Sequence, residues 1–258
     1  MKQPLASIHP AAKIAPSVVI DPFVTIEANV EIGEGTRIAS NVTIMEGARI
    51  GKNCTIFPGA VISGIPQDLK FKGEDTLAII GDNTTIRECV TINRGTAAKG
   101  KTVVGNNCLI MAYCHVAHDC IVGDNVIMSN ATQLAGEVQV DNFAVIGGGS
   151  LVHQFCHIGP HVMLQGGALV NKDIPPYVKA AREPIAYAGV NSIGLRRRGF
   201  SGEVIRDIQE IYRYLYLSGL NNSDAIERIE AELPATPERD EIILFVRNAK
   251  RGIIRGYV

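Results

Sequence analysis

Tryptophan is absent from the 258 residues, and seven phenylalanines and seven tyrosines bring the aromatic residues to only 5%. Isoleucine, valine, alanine and glycine are plentiful instead, a profile that suits a thin, regular core of aliphatic and small side chains. An excess of charge of either sign is also missing, because the formal net charge is −1. The composition therefore gives no general electrostatic attraction to nucleic acid or to an anionic membrane surface.

Long apolar segments are missing as well. No run reaches the roughly 18 uncharged apolar residues that a membrane-spanning helix needs, so no membrane insertion is expected. The opening residues, MKQPLASIHP, contain one lysine and no apolar stretch of signal-peptide length. We therefore expect a cytoplasmic protein.

A repeat of six residues dominates the first two thirds of the chain. Isoleucine occupies every sixth position from 8 to 62, and the same phase returns with Ile, Val, Leu or Met over 80–92 and 104–170. A second row of small or β-branched residues lies two positions before these. Two inward positions separated by one outward position indicate a strand rather than a helix. Glycines such as Gly33 and Gly105 often follow and allow a sharp corner.

Short strands with a corner every six residues predict a triangular parallel β-helix of hexapeptide repeats. Three hexads, or about 18 residues, form one coil, so residues that far apart should stack at roughly 4.8 Å. Parallel crossovers are normally right-handed, whereas hexapeptide-repeat proteins are the left-handed exception. We therefore predict a mainly β fold, a left-handed parallel β-helix.

Two lapses in the repeat, over residues 63–79 and 94–103, are polar, charged and rich in turn formers. They predict loops that protrude from the prism. The phase is unchanged after each lapse, so the β-helix is expected to continue and to span residues 1–178. Residues 179–200 form a connecting segment, and helical periodicity predicts a small C-terminal helical domain over 201–258.

Three helices are predicted in the C-terminal domain. The first ends near Gly219, and its apolar face consists of Val204, Ile208, Ile211, Leu215 and Leu217. The second is expected to begin near Ser223. The third should begin near Thr236 and Pro237, because a capping residue there precedes a proline suited to the first turn.

Five of the six cysteines lie on the second inward row, at positions 54, 108, 114, 120 and 156. Their spacing in multiples of six is compatible with a metal site or with disulfides. Free cysteine, however, commonly behaves as a small buried apolar residue, so we interpret these five as core. Only Cys89 lies off the row.

The stretch HVAHDC, residues 115–120, contains the strongest candidate for chemistry. His118, Gly136 and Gln154 are one predicted coil apart and share a corner, with His153 beside Gln154. A histidine can serve as a general base near neutral pH, and Asp119 can fix its tautomer and stabilise the imidazolium. Because consecutive strand residues point to opposite faces, this contact requires both residues to lie in the corner. The Gly136 N–H can act as an oxyanion donor.

Six strings of the sequence match one family in order and spacing: PQDLKFKGE (66–74), IRECVTINRGT (86–96), HVAHDCIVG (115–123), VHQFCHIG (152–159), DIPPYV (173–178) and GVNSIGLRRRGFS (189–201). The sequence resembles the UDP-N-acetylglucosamine O-acyltransferases that begin lipid A synthesis. The hexapeptide repeat alone indicates only the fold, which many acyltransferases share. The loop and tail strings are specific to this family.

The resemblance implies a reaction and three catalytic groups. His118 is the general base that takes a proton from the sugar 3-hydroxyl as it attacks the thioester of a 3-hydroxyacyl chain on acyl carrier protein. Asp119 orients His118, and the Gly136 amide stabilises the oxyanion. Neither a metal nor a resident cofactor is implied, because the donor arrives on the phosphopantetheine of acyl carrier protein.

The resemblance also implies substrate contacts near these groups. Gln67, Asp68 and Lys70 on the first loop match residues that contact the glucosamine and acyl groups. His153 and Gln154 match residues that contact the sugar nucleotide.

Further implied contacts come from the end of the β-helix and from the tail. Asn191, Arg197 and Arg198 match residues near the uridine and phosphates, and the donor fork of arginine suits phosphate. Without the family, the run 196–198 reads as a solvated charged face or as a patch for an acidic carrier protein. Gly166 matches the position that limits acyl length, and glycine there implies room for a long chain. The family forms homotrimers with sites between neighbouring prisms, in line with closed threefold symmetry.

Three positions depart from the family pattern. Glu137 stands where histidine commonly follows the oxyanion glycine, Asn93 replaces the histidine of the usual IHRGT string, and Ile193 replaces an acidic residue of the tail. None of them is the proposed base, so the reaction class is unaffected.

Three other functions are compatible with the same fold. A related sugar-nucleotide N-acyltransferase of the same pathway is the nearest alternative. A zinc-dependent hydratase would use His115 and His118 with a third ligand from another subunit, and would leave the loop strings unexplained. A non-catalytic β-helix that binds through a flat repetitive face is disfavoured, because the outward positions form no regular Thr or Asn ladder.

Overall fold

The computed structural model describes residues 4–256, and its main body is a triangular prism of parallel strands. Most strands are two residues long, because a corner follows each pair. Over the described residues, the first strands are β1 (Ser7–Ile8), β2 (Lys13–Ile14), β3 (Val19–Ile20), β4 (Thr25–Ile26), β5 (Glu31–Ile32), β6 (Arg37–Ile38), β7 (Thr43–Ile44), β8 (Ala48–Ile50), β9 (Thr55–Ile56), β10 (Val61–Gly64), β11 (Leu77–Ile80), β12 (Thr85–Ile86) and β13 (Thr91–Asn93). The later strands are β14 (Lys101–Val104), β15 (Leu109–Ile110), β16 (His115–Val116), β17 (Ile121–Val122), β18 (Ile127–Met128), β19 (Gln133–Leu134), β20 (Gln139–Val140), β21 (Val145–Ile146), β22 (Leu151–Val152), β23 (His157–Ile158), β24 (Met163–Leu164), β25 (Leu169–Val170), β26 (Val178–Ala181) and β27 (Ala186–Val190).

Each side of the prism takes every third strand. Face A runs from β1 to β25, face B from β2 to β23, and face C from β3 to β24 and then through β26 to β27. Strands on neighbouring coils pair in parallel and in register, as Thr25 pairs with Thr43. The inward row is the core: Ile44, Ile62 and Leu134 have no exposed surface. The parallel β-helix predicted from the hexads is therefore confirmed.

The five cysteines of the inward row are buried free thiols. Burial raises the pKa of Cys108 and Cys114 to about 11, and that of Cys120 to about 12. These thiols stay protonated at neutral pH and pack as small apolar groups.

Both protruding loops leave the prism at the same edge, where face A meets face B. The first loop, residues 65–76, joins β10 to β11, and the second loop, residues 94–100, joins β13 to β14. Ile62 consequently pairs with Ile92, and Ile92 with Val116, at separations longer than one regular coil. Both loops are shorter than expected, because the flanking strands extend into the predicted loop spans.

The chain leaves the regular repeat through a hairpin and four helices. Strand β26 continues face C, and β27 returns antiparallel to it. Over the described residues, the helices are α1 (Ser192–Arg197), α2 (Gly202–Leu217), α3 (Asn222–Glu232) and α4 (Pro237–Asn248). None of the helices within residues 4–256 is long and apolar enough to cross a membrane.

One detail of the predicted helices was wrong. Helix α2 also buries Ile205 and Tyr212, while Val204 is only half-buried and Leu217 is 68% exposed. The wider buried face arises because α2 contacts β27, α3 and α4. Helix α3 is capped by Asn221, whose side chain accepts a hydrogen bond from the backbone of Asp224, and it begins at Asn222, near Ser223 as predicted. Helix α4 begins as expected, with Thr236 as cap and Pro237 in the first turn.

Candidate active site

The edge between faces A and B, called the A–B edge below, brings His118, Gly136 and Gln154 onto successive coils. The backbone N–H of Glu137 donates to the His118 carbonyl (3.0 Å), and that of Phe155 donates to the Gly136 carbonyl (3.3 Å). Because these bonds link equivalent turns of neighbouring coils, the three residues form one ridge. The stacking that the hexad spacing predicted is present.

His118 and Asp119 share one corner of this ridge. Asp119 has a φ of +60°, a left-handed conformation that turns its side chain back toward its neighbour instead of to the opposite face. His118 Nδ1 lies 2.9 Å from Asp119 Oδ2. The Asp119 side chain is fully buried, whereas the His118 side chain keeps 10% of its surface exposed. The pair therefore has the base–orienter geometry that acyl transfer uses.

The second loop surrounds the Asp119 carboxylate with donors. Thr96 donates from its backbone N–H to Oδ1 (3.0 Å) and from its hydroxyl to Oδ2 (2.6 Å), and the Lys99 N–H donates to Oδ1 (3.2 Å). Burial alone would raise the pKa of Asp119, but the bonds from Thr96 and His118 outweigh burial and lower it. Sequence reasoning missed Thr96 and Lys99 as parts of this site. The only signal was that Thr96 closes the family string IRECVTINRGT.

Gly136 leaves bare backbone beside the imidazole. A Cβ atom at this position would lie 2.5 Å from both Cε1 and Nε2 of His118, so any side chain would displace the ring. The Gly136 N–H donates no hydrogen bond to any group within residues 4–256. A donor next to the outer nitrogen of the base is where an oxyanion donor is needed.

The first loop brings one of its three predicted residues to the base. Asp68 Oδ2 lies 4.0 Å from His118 Nε2, while Asp68 Oδ1 accepts a hydrogen bond from the Lys70 N–H (2.9 Å). The side chains of Gln67 and Lys70 are exposed on the same loop. Asp68 therefore lies beside the dyad, and Gln67 and Lys70 are exposed on the same loop.

His153 and Gln154 continue the ridge one coil beyond Gly136. His153 is exposed, and its Nδ1 lies 3.0 Å from the Gln154 carbonyl oxygen. His153 therefore presents the rest of its ring to solvent along the A–B edge.

Gly166 lies elsewhere, on the edge where face C meets face A, between β24 and β25. A Cβ atom there would lie 3.1 Å from the Gly148 carbonyl oxygen, so the position has little room for a side chain toward its neighbouring coil. Gly166 and His118 are on different edges of the prism and do not meet within one chain.

Asn191, Arg197 and Arg198 line a groove on the outside of face C, whose floor includes Ile127 and Val145. Called the face C groove below, it is also separate from the A–B edge. Helix α1 positions these residues because Asn191 caps it, accepting a hydrogen bond from the Gly194 N–H (3.2 Å).

Aromatic rings support the face C groove from below. The Arg198 guanidinium carbon lies 5.3 Å from the centre of the Phe143 ring, within the range of a cation–π contact. Phe143 stacks on His161 with ring centres 4.9 Å apart. The Asn191 side-chain amide donates to the His161 carbonyl (2.9 Å). The half-buried His161 therefore contacts Asn191 directly and Arg198 through the Phe143 ring.

Three family models match successive parts of the chain. A model described as UDP N-acetylglucosamine O-acyltransferase, domain 2, matches residues 173–254. A model described as bacterial transferase hexapeptide (six repeats) matches residues 101–136. Residues 3–103 match a model described as the GMPPB C-terminal domain.

Whole-chain comparisons agree. The acyl-[acyl-carrier-protein]–UDP-N-acetylglucosamine O-acyltransferase of Thermodesulfovibrio yellowstonii is 47% identical over 251 residues, which cover 97% of each chain. That of Chlorobium phaeobacteroides is 55% identical over 193 residues, or 74% of this chain and 73% of the relative. The crystal structure of a UDP-N-acetylglucosamine acyltransferase from Bacteroides fragilis is 59% identical, with a TM-score of 0.97 over 99% of this chain and all of the other. The chain belongs to the UDP-N-acetylglucosamine O-acyltransferase family. Its prism accordingly has the left-handed coil of that family, as predicted.

The departures from the family pattern have local partners in this chain. Glu137 Oε2 lies 4.0 Å from Lys99 Nζ, so the extra negative charge beside Gly136 faces a cation of the second loop. The Asn93 side-chain amide donates to the Ile65 carbonyl (3.1 Å) at the base of the first loop. Ile193 is 66% exposed at the rim of the face C groove. Glu137 and Asn93 therefore each contact one of the two loops.

His115 lies near the dyad without being part of it. Its Nδ1 is 2.7 Å from the Thr91 hydroxyl, and burial, with the neighbouring His118, lowers its pKa. Within residues 4–256, no three His, Cys, Asp or Glu side chains come together as a potential metal site.

Proposed function

We propose that this protein transfers a 3-hydroxyacyl chain from acyl carrier protein to the 3-hydroxyl of UDP-N-acetylglucosamine, the first step of lipid A synthesis. The observation that carries the proposal is the His118–Asp119 pair, whose outer ring nitrogen lies beside the bare Gly136 amide. Family membership supports the choice of substrates, and the geometry supports the roles of base, orienting carboxylate and oxyanion donor.

In the proposed reaction, His118 Nε2 takes the proton of the sugar hydroxyl while the hydroxyl oxygen bonds to the thioester carbon. The carbonyl oxygen gains the negative charge and accepts a hydrogen bond from the Gly136 N–H. The Asp119 carboxylate stabilises the imidazolium that forms. When the carbon–sulfur bond breaks, the imidazolium returns its proton to the thiolate of phosphopantetheine, and the ester product remains.

The substrate contacts are assigned from the family resemblance, and the positions of these residues on the A–B edge support the assignment. Asp68, 4.0 Å from His118 Nε2, is placed for the glucosamine ring, with Gln67 and Lys70 beside it for the sugar and acyl groups. His153 and Gln154 extend the same edge toward the sugar nucleotide.

We further propose that the working unit is a homotrimer. Asn191, Arg197 and Arg198 lie on face C and Gly166 on the C–A edge, so one chain cannot present them to its own dyad. A second prism packed against the A–B edge can supply the phosphate contacts of arginine and the acyl-binding Gly166. Closed threefold symmetry gives each of three chains the same shared site.

The remaining proposals concern cofactor and compartment. The reaction needs no resident cofactor, because acyl carrier protein brings its own phosphopantetheine and His118 supplies the base. We place the enzyme in the cytoplasm, since six free cysteines, five of them buried as thiols, suit a reducing compartment.

The test is an acyl-transfer assay with UDP-N-acetylglucosamine and a series of 3-hydroxyacyl carrier proteins. His118→Ala should lower the rate about 10²-fold or more while the fold is retained, as expected for loss of a general base. His157→Ala is the matched control, because His157 also pairs with an aspartate, Asp141 (2.6 Å), but on face B. An unchanged rate for His118→Ala would rule out the base.

The same assay separates the alternatives. An acceptor with an amine in place of the 3-hydroxyl should be poorer than UDP-N-acetylglucosamine; a clear preference for the amine would identify an N-acyltransferase. Metal analysis of the purified protein addresses the hydratase, and stoichiometric zinc would contradict the proposed chemistry.

A further inference from the structure

Among the described residues, Thr96 is the one member of the second loop whose side chain donates to the Asp119 carboxylate. The Asp119 carboxylate accepts four hydrogen bonds, of which one comes from His118 and three from Thr96 and Lys99. Two of the three are backbone N–H groups. The third is the Thr96 hydroxyl, at 2.6 Å the shortest of the four.

Thr96 and His118 bind the same carboxylate oxygen. The Thr96 hydroxyl and His118 Nδ1 both contact Asp119 Oδ2, at 2.6 and 2.9 Å. The direction of the hydroxyl is set by the loop: its oxygen accepts a hydrogen bond from the Ala98 N–H (3.2 Å), so its single proton is left for Asp119. Thr96 is 7% exposed, and its carbonyl accepts from the Gly100 N–H (2.7 Å), which closes the loop around it.

We propose that Thr96 is a positioning residue of the reaction, whose hydroxyl holds Asp119 in place and moderates the charge that Asp119 presents to His118. This inference rests on the proposed function of the dyad. A charge-assisted hydrogen bond draws electron density from the carboxylate, and the lowered pKa of Asp119 is consistent with that bond. Without the hydroxyl, the carboxylate is freer to rotate and holds the imidazolium more strongly.

Other charged and titratable groups near His118 also act on the charge of its ring. Asp68 lies 4.0 Å from Nε2, and His115 is the neighbouring titratable group on β16. The Lys99 side chain donates to the Asp119 carbonyl (3.2 Å) and lies 4.0 Å from Glu137. Substitution of Thr96 changes none of these charges. A change in the titration of His118 therefore reports on the Thr96–Asp119 bond itself.

The variant Thr96→Val removes the hydroxyl and keeps the shape. We expect kcat to fall about tenfold, the effect of one hydrogen bond to a charged group, with KM unchanged because Thr96 does not touch substrate. The acidic limb of the kcat–pH profile should move to higher pH, because an imidazolium held more strongly by Asp119 loses its proton at higher pH. Thr96→Ser restores a hydroxyl and should return both kcat and the acidic limb to wild-type values.

Thr84→Val is the matched control for loss of a buried threonine hydroxyl. Thr84 is fully buried on another edge of the prism, where its hydroxyl donates to the Gly105 carbonyl (2.7 Å) and accepts from the Cys108 N–H (3.1 Å). This control should lower the unfolding temperature without moving the pH profile. If Thr96→Val behaves like Thr84→Val, with an unmoved acidic limb, Thr96 is only structural and the inference is wrong.

A substrate-free measurement separates this inference from the proposed function. The NMR titration midpoint of the His118 ring is compared in wild type, Thr96→Val and Thr96→Ser, with the His118 signal assigned by its absence in His118→Ala. A higher midpoint in Thr96→Val alone supports the positioning role even if the acyl-transfer assay fails. Equal midpoints in all three proteins would overturn the role even if the wild-type enzyme is active.

Discussion

The A–B edge and the face C groove use opposite means to place polar groups. At the A–B edge, His118, Asp119 and Gly136 are fixed by the stacked turns of the coil and by hydrogen bonds from a loop of the same chain. In the face C groove, Arg198 lies on the far side of the regular repeat and is supported by a stack of rings. Under the proposed function, the reacting centre is therefore held within one chain, while phosphate recognition depends on a segment outside the repeat and on a second chain.

The largest expected effect on activity comes from adding a side chain at Gly136 on the A–B edge. Gly136→Ala places a methyl group 2.5 Å from the His118 ring, so the imidazole must leave its position and kcat should fall about 10²-fold or more. Gly202→Ala, at the start of α2 where an added Cβ has ample room, is the control and should retain full activity. Steady-state kinetics of both variants provide the check, and an active Gly136→Ala enzyme would show that the ring can work from elsewhere.

The next prediction tests whether the two regions meet across a subunit boundary. His118→Ala and Arg198→Ala should each be impaired alone, and co-expression of the two should recover activity. In randomly mixed trimers, about a quarter of the sites receive both native residues if His118 and Arg198 come from different chains. Differently tagged subunits, purified by both tags, allow the mixed species to be assayed. No recovery in those species would place both residues in the same chain's site.

A smaller effect is expected where Glu137 and Lys99 connect the edge to the second loop. Lys99→Met should lower kcat by a few-fold at most, because an ion pair of 4.0 Å with partly exposed side chains is weak. The reversal Lys99→Glu with Glu137→Lys should recover part of the loss relative to Lys99→Glu alone. Kinetics of the single and double variants form a double-mutant cycle, and zero coupling energy would remove Glu137 from the support of the loop.

The smallest expected effect on activity concerns the rings below the face C groove. Burial, with the nearby Arg198, lowers the pKa of His161 to about 4, so the folded protein keeps this ring neutral while the unfolded chain gains a proton below about pH 6.5. Stability from His161 is therefore full above pH 6.5 and is lost as the pH falls toward 4. His161→Phe keeps an aromatic ring in the stack but has no group that takes up a proton. Its unfolding temperature should therefore fall less between pH 7 and pH 5 than that of the wild-type protein. If the unfolding temperatures of the wild type and the variant fall equally with pH, His161 is not held neutral in the folded protein.

The sequence predicts the prism well because its period states directly which residues face inward. Ile44 and Leu134 could be assigned to the core from spacing alone, and the same spacing brought Gly136 to His118. Thr96 could not be found in this way, because a loop has no sequence period. Its contact with Asp119 joins the loop of one coil to the corner of the next coil. The buried face of α2 was also misplaced at Leu217, since packing against three neighbouring elements, rather than periodicity, decides which side is covered.

The two loops at the A–B edge are the parts of the prism that best tolerate a change in length. Each leaves and rejoins the prism at neighbouring points, so adding residues to it costs little loop-closure entropy. A residue inserted within a strand would instead turn the inward row outward. The edge that holds Asp68 and Thr96 can therefore take added residues at a lower cost than the strands of the prism. Changes in these two loops can therefore adapt the site to other acceptors or acyl groups without a change in the prism.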